Sequence, residues 1–138
     1  MMIVRCYLAP SRIEGLGVFC HHDIAKGENV WRHEAALDHS IPYEALMALE
    51  PHAREFIERY GYPDPDHPGA VILESDEGRF MNHSDAPNLD FSDGVHGYAL
   101  VDIPAGTELT CDYAGFVANG EVMFQPSRHR VGVLHGVA

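Results

Sequence analysis

The chain has 138 residues, of which 46% are apolar and 22% are charged. This suits one domain with its own hydrophobic core and excludes a low-complexity protein. Its 21 acidic residues outnumber the 9 basic ones, and the formal net charge is −12. A surface this acidic repels a phosphate backbone, so we predict no direct nucleic-acid binding. The same charge either attracts a basic partner or serves solubility alone.

Predicted strands lie on both sides of one helical stretch. Apolar residues recur at three- and four-residue spacings, which predicts a helical insertion at about 40–61 that starts near Ser40 and is broken at Pro51. Gly61 ends the helical stretch, and Pro63, Pro65 and Pro68 exclude regular structure as far as Gly69. Strands are predicted at residues 3–8, 18–20, 29–33, 70–74, 89–91, 98–103 and 108–113. We therefore expect a mostly β fold in a single domain, 1–138.

The cysteines and the first residues bear on the compartment. Cys6, Cys20 and Cys111 have no metal-ligand spacing and cannot all pair, which favours a reducing compartment and predicts no bound metal. The first eight residues are too short for a signal peptide, and no apolar run approaches the roughly 20 residues of a membrane span. We expect a cytoplasmic protein without membrane contact. The sequence leaves a homodimer open.

A dense polar run, RFMNHSDAPN at residues 79–88, interrupts the apolar pattern. Its amide, imidazole and hydroxyl groups each offer hydrogen-bond donors and acceptors. If these groups are buried they must all be satisfied, and they would then hold two backbone segments together. On local chemistry alone, this structural interpretation is favoured over a functional one.

Together with other segments, this run resembles the SET-domain family. RFMNHSDAPN resembles that family's R-F-x-N-H-S-x-x-P-N motif, and ELTCDY at 108–113 is similar to its E-L-T-x-D-Y motif. EGLGVF at 14–19 and DIAKGENV at 23–30 resemble the segments with which the family opens. The resemblance covers about residues 3–116. It implies short strands in several small sheets, a knot-like crossing and one helical insertion.

The activity implied by the resemblance is transfer of a methyl group from S-adenosylmethionine to a lysine of another protein. It also implies which residues contact the cofactor: Glu14, Gly15 and Leu16 in the opening turn, and Arg79, Phe80, Asn82 and His83 in the first motif. The cysteine-rich zinc segment of many members is missing, so the tail at 114–138 is expected to close the site. Its Phe116 is the aromatic candidate to cover the cofactor.

Tyr113 aligns with the family's catalytic tyrosine. A phenol with a pKa near 10 is a poor base at neutral pH, so we assign it to positioning of the methyl group and the amine. By the same resemblance, Phe91, Tyr98 and Cys111 are expected to border the lysine channel. Because neither Cys111 nor Phe91 carries a hydroxyl, the prediction is a product range that reaches di- or trimethyl-lysine.

Two other interpretations remain open at this point. One is a non-catalytic binding module that holds a lysine-bearing tail or the cofactor without turnover. The other is a subunit of a larger complex. For the methyltransferase, the expected partner is a basic protein substrate that carries the target lysine, because the chain is strongly acidic.

Overall fold

A computed structural model describes residues 1–113 of the chain. The predicted roles of Phe116 and of the tail at 114–138 lie outside the described residues. The elements are, in chain order, β1 (Cys6–Pro10), β2 (Leu16–Cys20), β3 (Asn29–Arg32), β4 (His39–Pro42), α1 (Tyr43–Met47), α2 (Pro51–Tyr60), β5 (Tyr62–Pro63), β6 (Ala70–Leu73), a 3₁₀ turn (Glu77–Phe80), β7 (Asn82–His83), β8 (Leu89–Asp90), β9 (His96–Ala99) and β10 (Glu108–Cys111). The mostly β fold in several small sheets is confirmed.

A four-stranded sheet in the order β1-β2-β10-β7 joins the two ends of the described chain. β1 and β2 form an antiparallel hairpin, and β10 pairs with β2 antiparallel, with Leu109 opposite Val18. Both of these side chains are fully buried. The apolar alternation in β2 and β10 therefore places one face of each strand in the core.

The knot-like crossing forms where β7 meets β10. These two short strands pair in parallel, with Thr110 opposite Asn82 and Cys111 opposite His83. The Asn88 side chain fastens the crossing, because its Nδ2 donates to the Glu108 carbonyl at 2.8 Å and its Oδ1 accepts from the Thr110 amide at 2.8 Å. The polar run therefore does hold two backbone segments together, as its chemistry predicts.

The other two sheets each have three strands, in the orders β3-β9-β8 and β4-β6-β5. Trp31 of β3 is almost completely buried and packs edge-on against Phe91, with ring centroids 5.1 Å apart. The main core surrounds Trp31, and a smaller cluster of Leu46, Ile57 and Val71 anchors the helices to β6.

The predicted break of the helical stretch at Pro51 is confirmed, because Pro51 is the first residue of α2. Three details of the prediction are wrong. Ser40 lies in β4 rather than at a helix start, since β4 pairs with β6 before the chain turns into α1. Pro63 belongs to β5, an edge strand where its missing N–H is tolerated. The strand predicted at 98–103 lies instead at His96–Ala99.

None of the helices within residues 1–113 has the length and apolar character needed to cross a membrane.

Candidate active site

Two small cavities adjoin each other beside the crossing. The larger has a volume of about 40 Å³ and the smaller about 20 Å³, and both are lined by Arg59, Tyr60, Met81 and Tyr113. The larger cavity is also lined by Trp31, Gly61, Tyr62, Glu74, Gly78, Arg79, Phe91 and Cys111. The smaller is also lined by Glu14, Phe80 and Asn82. The two sequence motifs and the end of α2 therefore converge on one site.

Tyr113 stands where the two cavities meet. Its hydroxyl donates a hydrogen bond to the Met81 carbonyl oxygen at 2.6 Å, and its main-chain N–H donates to Nδ1 of His83 at 3.0 Å. Burial raises the pKa of the Tyr113 phenol above its ordinary value, and the neighbouring Cys111 adds to this effect. The phenol is therefore neutral at any physiological pH, which agrees with a positioning role and argues against a role as a base.

Asn82 bridges the opening turn to β10. Its Nδ2 lies within hydrogen-bond distance of three acceptors: the Glu14 carbonyl at 3.0 Å, the Leu16 carbonyl at 3.1 Å and Oε2 of Glu108 at 3.0 Å. The residue is only 8% exposed. Asn82 therefore fixes the opening turn beside the smaller cavity.

The two glycines of the opening turn are required for different reasons. Gly15 has a φ of +49°, a conformation that L side chains rarely adopt. A Cβ placed on Gly17 would lie 2.5 Å from Oε2 of Glu108, a carboxylate that also accepts from the Ser11 hydroxyl at 2.8 Å. Gly17 thus makes room for the Glu108 carboxylate that holds Asn82.

An ion pair closes one side of the smaller cavity. Nη1 of Arg59, near the end of α2, lies 2.7 Å from Oε1 of Glu14, and the Glu14 side chain is almost fully buried. Burial disfavours the charged guanidinium, but the hydrogen bonds and charges of Glu14 and Tyr60 together outweigh this effect, and the pKa of Arg59 is raised. Opposite charges therefore lie side by side next to Asn82 and Tyr113.

The other predicted cofactor residues are placed at different distances from the cavities. Phe80 lines the smaller cavity and packs edge-on against Tyr60, with centroids 5.0 Å apart. Arg79 lines the larger cavity, and its Nε donates to the Glu74 carbonyl at 2.9 Å. Gly15, Leu16 and His83 line neither cavity, although the Leu16 carbonyl and the His83 ring contact residues that do. Their roles stay predictions.

Of the three residues predicted for the lysine channel, Phe91 and Cys111 line the larger cavity and Tyr98 does not. The Tyr98 side chain is 38% exposed on β9 and lies beside His96, with ring centroids 5.6 Å apart. The cavity does contain phenol rings, since Tyr60 and Tyr62 line it. Hydroxyl groups from other segments therefore lie at this cavity, and the di- or trimethyl product range stays a prediction.

Among the lining residues that sequence reasoning missed are Arg59, Tyr60, Tyr62 and Glu74. The first three come from the end of the helical insertion and the start of β5, which no motif marks. Glu74 directly follows the apolar strand β6 and is 5% exposed. An acidic residue at the end of a buried strand, five residues before the motif, was the one available signal.

The chemistry of the site can be tested against S-adenosylmethionine. The amino-acid end of that molecule carries an α-ammonium and an α-carboxylate group. The smaller cavity offers the Glu14 carboxylate and the Arg59 guanidinium as partners of opposite charge, close to the carbonyls that Asn82 gathers. The residues present therefore fit the amino-acid end of this cofactor.

No group of three or more His, Cys, Asp or Glu side chains within residues 1–113 is arranged to hold a metal ion.

Comparisons with known proteins agree on the fold. The model of the SET domain matches residues 15–114. A candidate histone methyltransferase of Plasmodium falciparum is 25% identical with a TM-score of 0.56, and the match covers 80% of this chain and 93% of that one. The Neurospora SET domain protein DIM-5, a histone lysine methyltransferase, is 26% identical with a TM-score of 0.57, covering 86% of this chain and 55% of that one.

A chain of a humanized mutant of the Chaetomium thermophilum Polycomb Repressive Complex 2 is 22% identical with a TM-score of 0.60. That match covers 84% of this chain but only 16% of the other, so it bears on the fold alone. The family model covers Gly15 and Leu16 of the opening turn, the helical insertion, the crossing and Tyr113. This chain belongs to the SET-domain family.

Proposed function

We propose that the protein is an S-adenosylmethionine-dependent protein-lysine methyltransferase. The single observation that carries this proposal is the Tyr113 hydroxyl, bonded to the Met81 carbonyl at the point where the two cavities meet. One cavity has partners for the amino-acid end of the cofactor, and the other is lined largely by aromatic and apolar side chains. The histone methyltransferases to which the chain is similar support the same activity.

The smaller cavity is proposed to bind the amino-acid end of the cofactor. Glu14 and Arg59 bind the ends of its amino-acid group, and Asn82 orders the opening turn around it. When bound, S-adenosylmethionine supplies an electrophilic methyl group on a positively charged sulfur. The Met81 carbonyl and the Tyr113 oxygen lie where this methyl group would enter the larger cavity, so they would orient it toward the amine.

The larger cavity is proposed to receive the target lysine side chain. Trp31, Phe91 and Tyr62 present ring surfaces that exclude water and pack against an aliphatic chain. The amine must reach the methyl group uncharged and in line with the bond that breaks, so the enzyme's main contribution is positioning. Water exclusion also protects the methyl donor.

A basic protein segment is the proposed substrate class. The chain carries a net charge of −12, which steers Lys- and Arg-rich segments toward it. The similarity to histone methyltransferases supports basic tails as the first substrates to test.

The decisive test is transfer of an isotopically labelled methyl group to a basic protein mixture, followed by intact-mass measurement. We expect mass increments of one or more methyl groups and their near disappearance in Tyr113→Phe. Tyr43→Phe is the matched control, since Tyr43 is exposed at the start of α1 and lines neither cavity. Cofactor binding without transfer would favour a binding module, and no cofactor binding would favour a purely structural subunit.

A further inference from the structure

The Glu74 carboxyl group has no role in the proposed function, although it lines the same cavity as Tyr113. Its Oε1 accepts a hydrogen bond from the Trp31 indole N–H at 2.6 Å. Its Oε2 is buried and has no hydrogen-bond partner within residues 1–113. Because a buried polar atom without a partner destabilises a fold, such an atom at a cavity calls for a functional explanation.

The main chain makes room for this unpartnered oxygen. A Cβ placed on Gly78, which also lines the cavity, would collide with Oε2 of Glu74. Gly78 is the second residue of the 3₁₀ turn and has no positive φ that would require glycine. Because position 78 has no side chain, the Glu74 carboxyl group can lie beside the cavity.

Two guanidinium groups line the same cavity, but Arg59 is paired with Glu14 and Arg79 bonds a main-chain carbonyl. The Arg79 bond is to the main-chain carbonyl of Glu74 rather than to its carboxylate. Within residues 1–113, the charge of Glu74 also interacts with Asp38, Asp76, the α-amino group of Met1, Tyr62 and Cys111. Burial, with Asp76 and Asp38, raises the pKa of Glu74 to about 7, against the opposing effects of the α-amino group and Trp31.

We propose that Oε2 of Glu74 binds the ε-ammonium group of the target lysine and accepts the proton that this group must lose before methyl transfer. The inference rests on the proposed function. An N–H bond of the ammonium breaks, its electron pair stays on nitrogen as the lone pair that attacks the methyl group, and the proton forms an O–H bond on Oε2. After product release the proton passes to water.

Alternatives within the larger cavity are weaker. The Tyr113 hydroxyl already donates to Met81, and burial raises the pKa values of Tyr113, Tyr62 and Cys111. Within residues 1–113, Glu74 is the only carboxyl group that lines this cavity. In water a carboxylate does not deprotonate an ammonium, but burial raises the pKa of the acid and lowers that of the amine until proton transfer becomes feasible.

The first test is Glu74→Gln, which keeps the shape and an oxygen for the Trp31 indole but removes the charge. We expect kcat/KM for a lysine peptide to fall roughly 10²-fold or more at pH 8, as for loss of a general base. In the wild type, kcat/KM should rise as the pH increases through about 7, and this rise should be absent in the variant. Glu55→Gln, an equal charge change at an exposed position of α2, should behave as wild type.

The fold of the variant can be checked at the same time. Since the Glu74 pKa is raised from 4.5 to about 7, the wild type loses stability as the pH rises through that window. Glu74→Gln should therefore unfold at pH 8 at a temperature no lower than that of the wild type. A folded variant that has the wild-type kcat/KM, and whose kcat/KM still rises with pH as in the wild type, would overturn the inference.

A second test does not depend on activity. Trp31 is the only tryptophan of the chain, and its indole contacts Glu74, so its fluorescence should titrate near pH 7 in the wild type and not in Glu74→Gln. The probe is n-butylamine, which has the four carbons and the amine of a lysine side chain. Its ammonium form should lower the midpoint of the titration by stabilising the carboxylate.

The two tests separate the inference from the function. If butylamine leaves the Trp31 titration unchanged while the enzyme methylates lysine, the inference fails and the proposed function stands. If butylamine shifts the titration but no protein is methylated, the amine site stands and the methyltransferase proposal fails.

Discussion

Substitution of Asn82 by alanine tests the idea that one amide joins the opening turn to the crossing. The two N–H groups of Nδ2 can satisfy two of its three acceptors at once, one of which is the charged Glu108. A hydrogen bond to a charged group contributes about 1.5–3 kcal/mol and one to a neutral carbonyl about 0.5–1.5 kcal/mol, so the loss is about 2–4.5 kcal/mol. For a chain of 138 residues this lowers Tm by about 7–16 °C.

The assay is thermal unfolding followed by circular dichroism, with calorimetric titration of S-adenosylmethionine on the folded protein. Asn82→Asp is the matched variant, because it keeps the shape but places a carboxylate against Glu108 and two carbonyl oxygens. It should be at least as destabilised as Asn82→Ala. If both variants melt within a degree or two of the wild type, the bridging role assigned to this amide is wrong.

Three further outcomes are expected. Gly17→Ala should lower Tm and cofactor affinity together, because the added Cβ would displace the Glu108 carboxylate. Thermal melts measure Tm and calorimetry measures the affinity, and wild-type values of both would contradict this prediction. Tyr98→Phe should leave the rate and the product distribution, measured by mass spectrometry, unchanged, whereas Tyr113→Phe should reduce kcat by roughly 10²–10³-fold. An effect of Tyr98→Phe would mean that Tyr98 does border the lysine channel. KM for a basic peptide should rise clearly with salt, since charges are screened beyond about 8 Å at physiological ionic strength, and a salt-insensitive KM would mean that the charge serves solubility.

Local sequence was sufficient for much of the fold. The break at Pro51 follows from the missing N–H of proline, and the strands β2, β6 and β10 follow from apolar residues bounded by turns. The predictions for Ser40 and Pro63 failed because pairing with β6, a contact between distant segments, decides whether those residues are extended. Propensity within a short window contains no information on such partners.

For the candidate site too, the sequence indicated some of the residues, and only the tertiary structure showed the others. The resemblance carried by the two motifs and the opening segments indicated the family, the cofactor and Tyr113, because these residues lie close together in sequence within each segment. Arg59 and Tyr62 could be found only in the tertiary structure, and the sequence signal at Glu74 does not show that its carboxyl group reaches the site. All three residues lie on an insertion and at a strand end that no motif marks, and they reach the site because β5 and β6 pair and α2 packs beside the opening turn. Burial, which raises the Glu74 pKa and disfavours the charged form, likewise exists only once these segments have packed together.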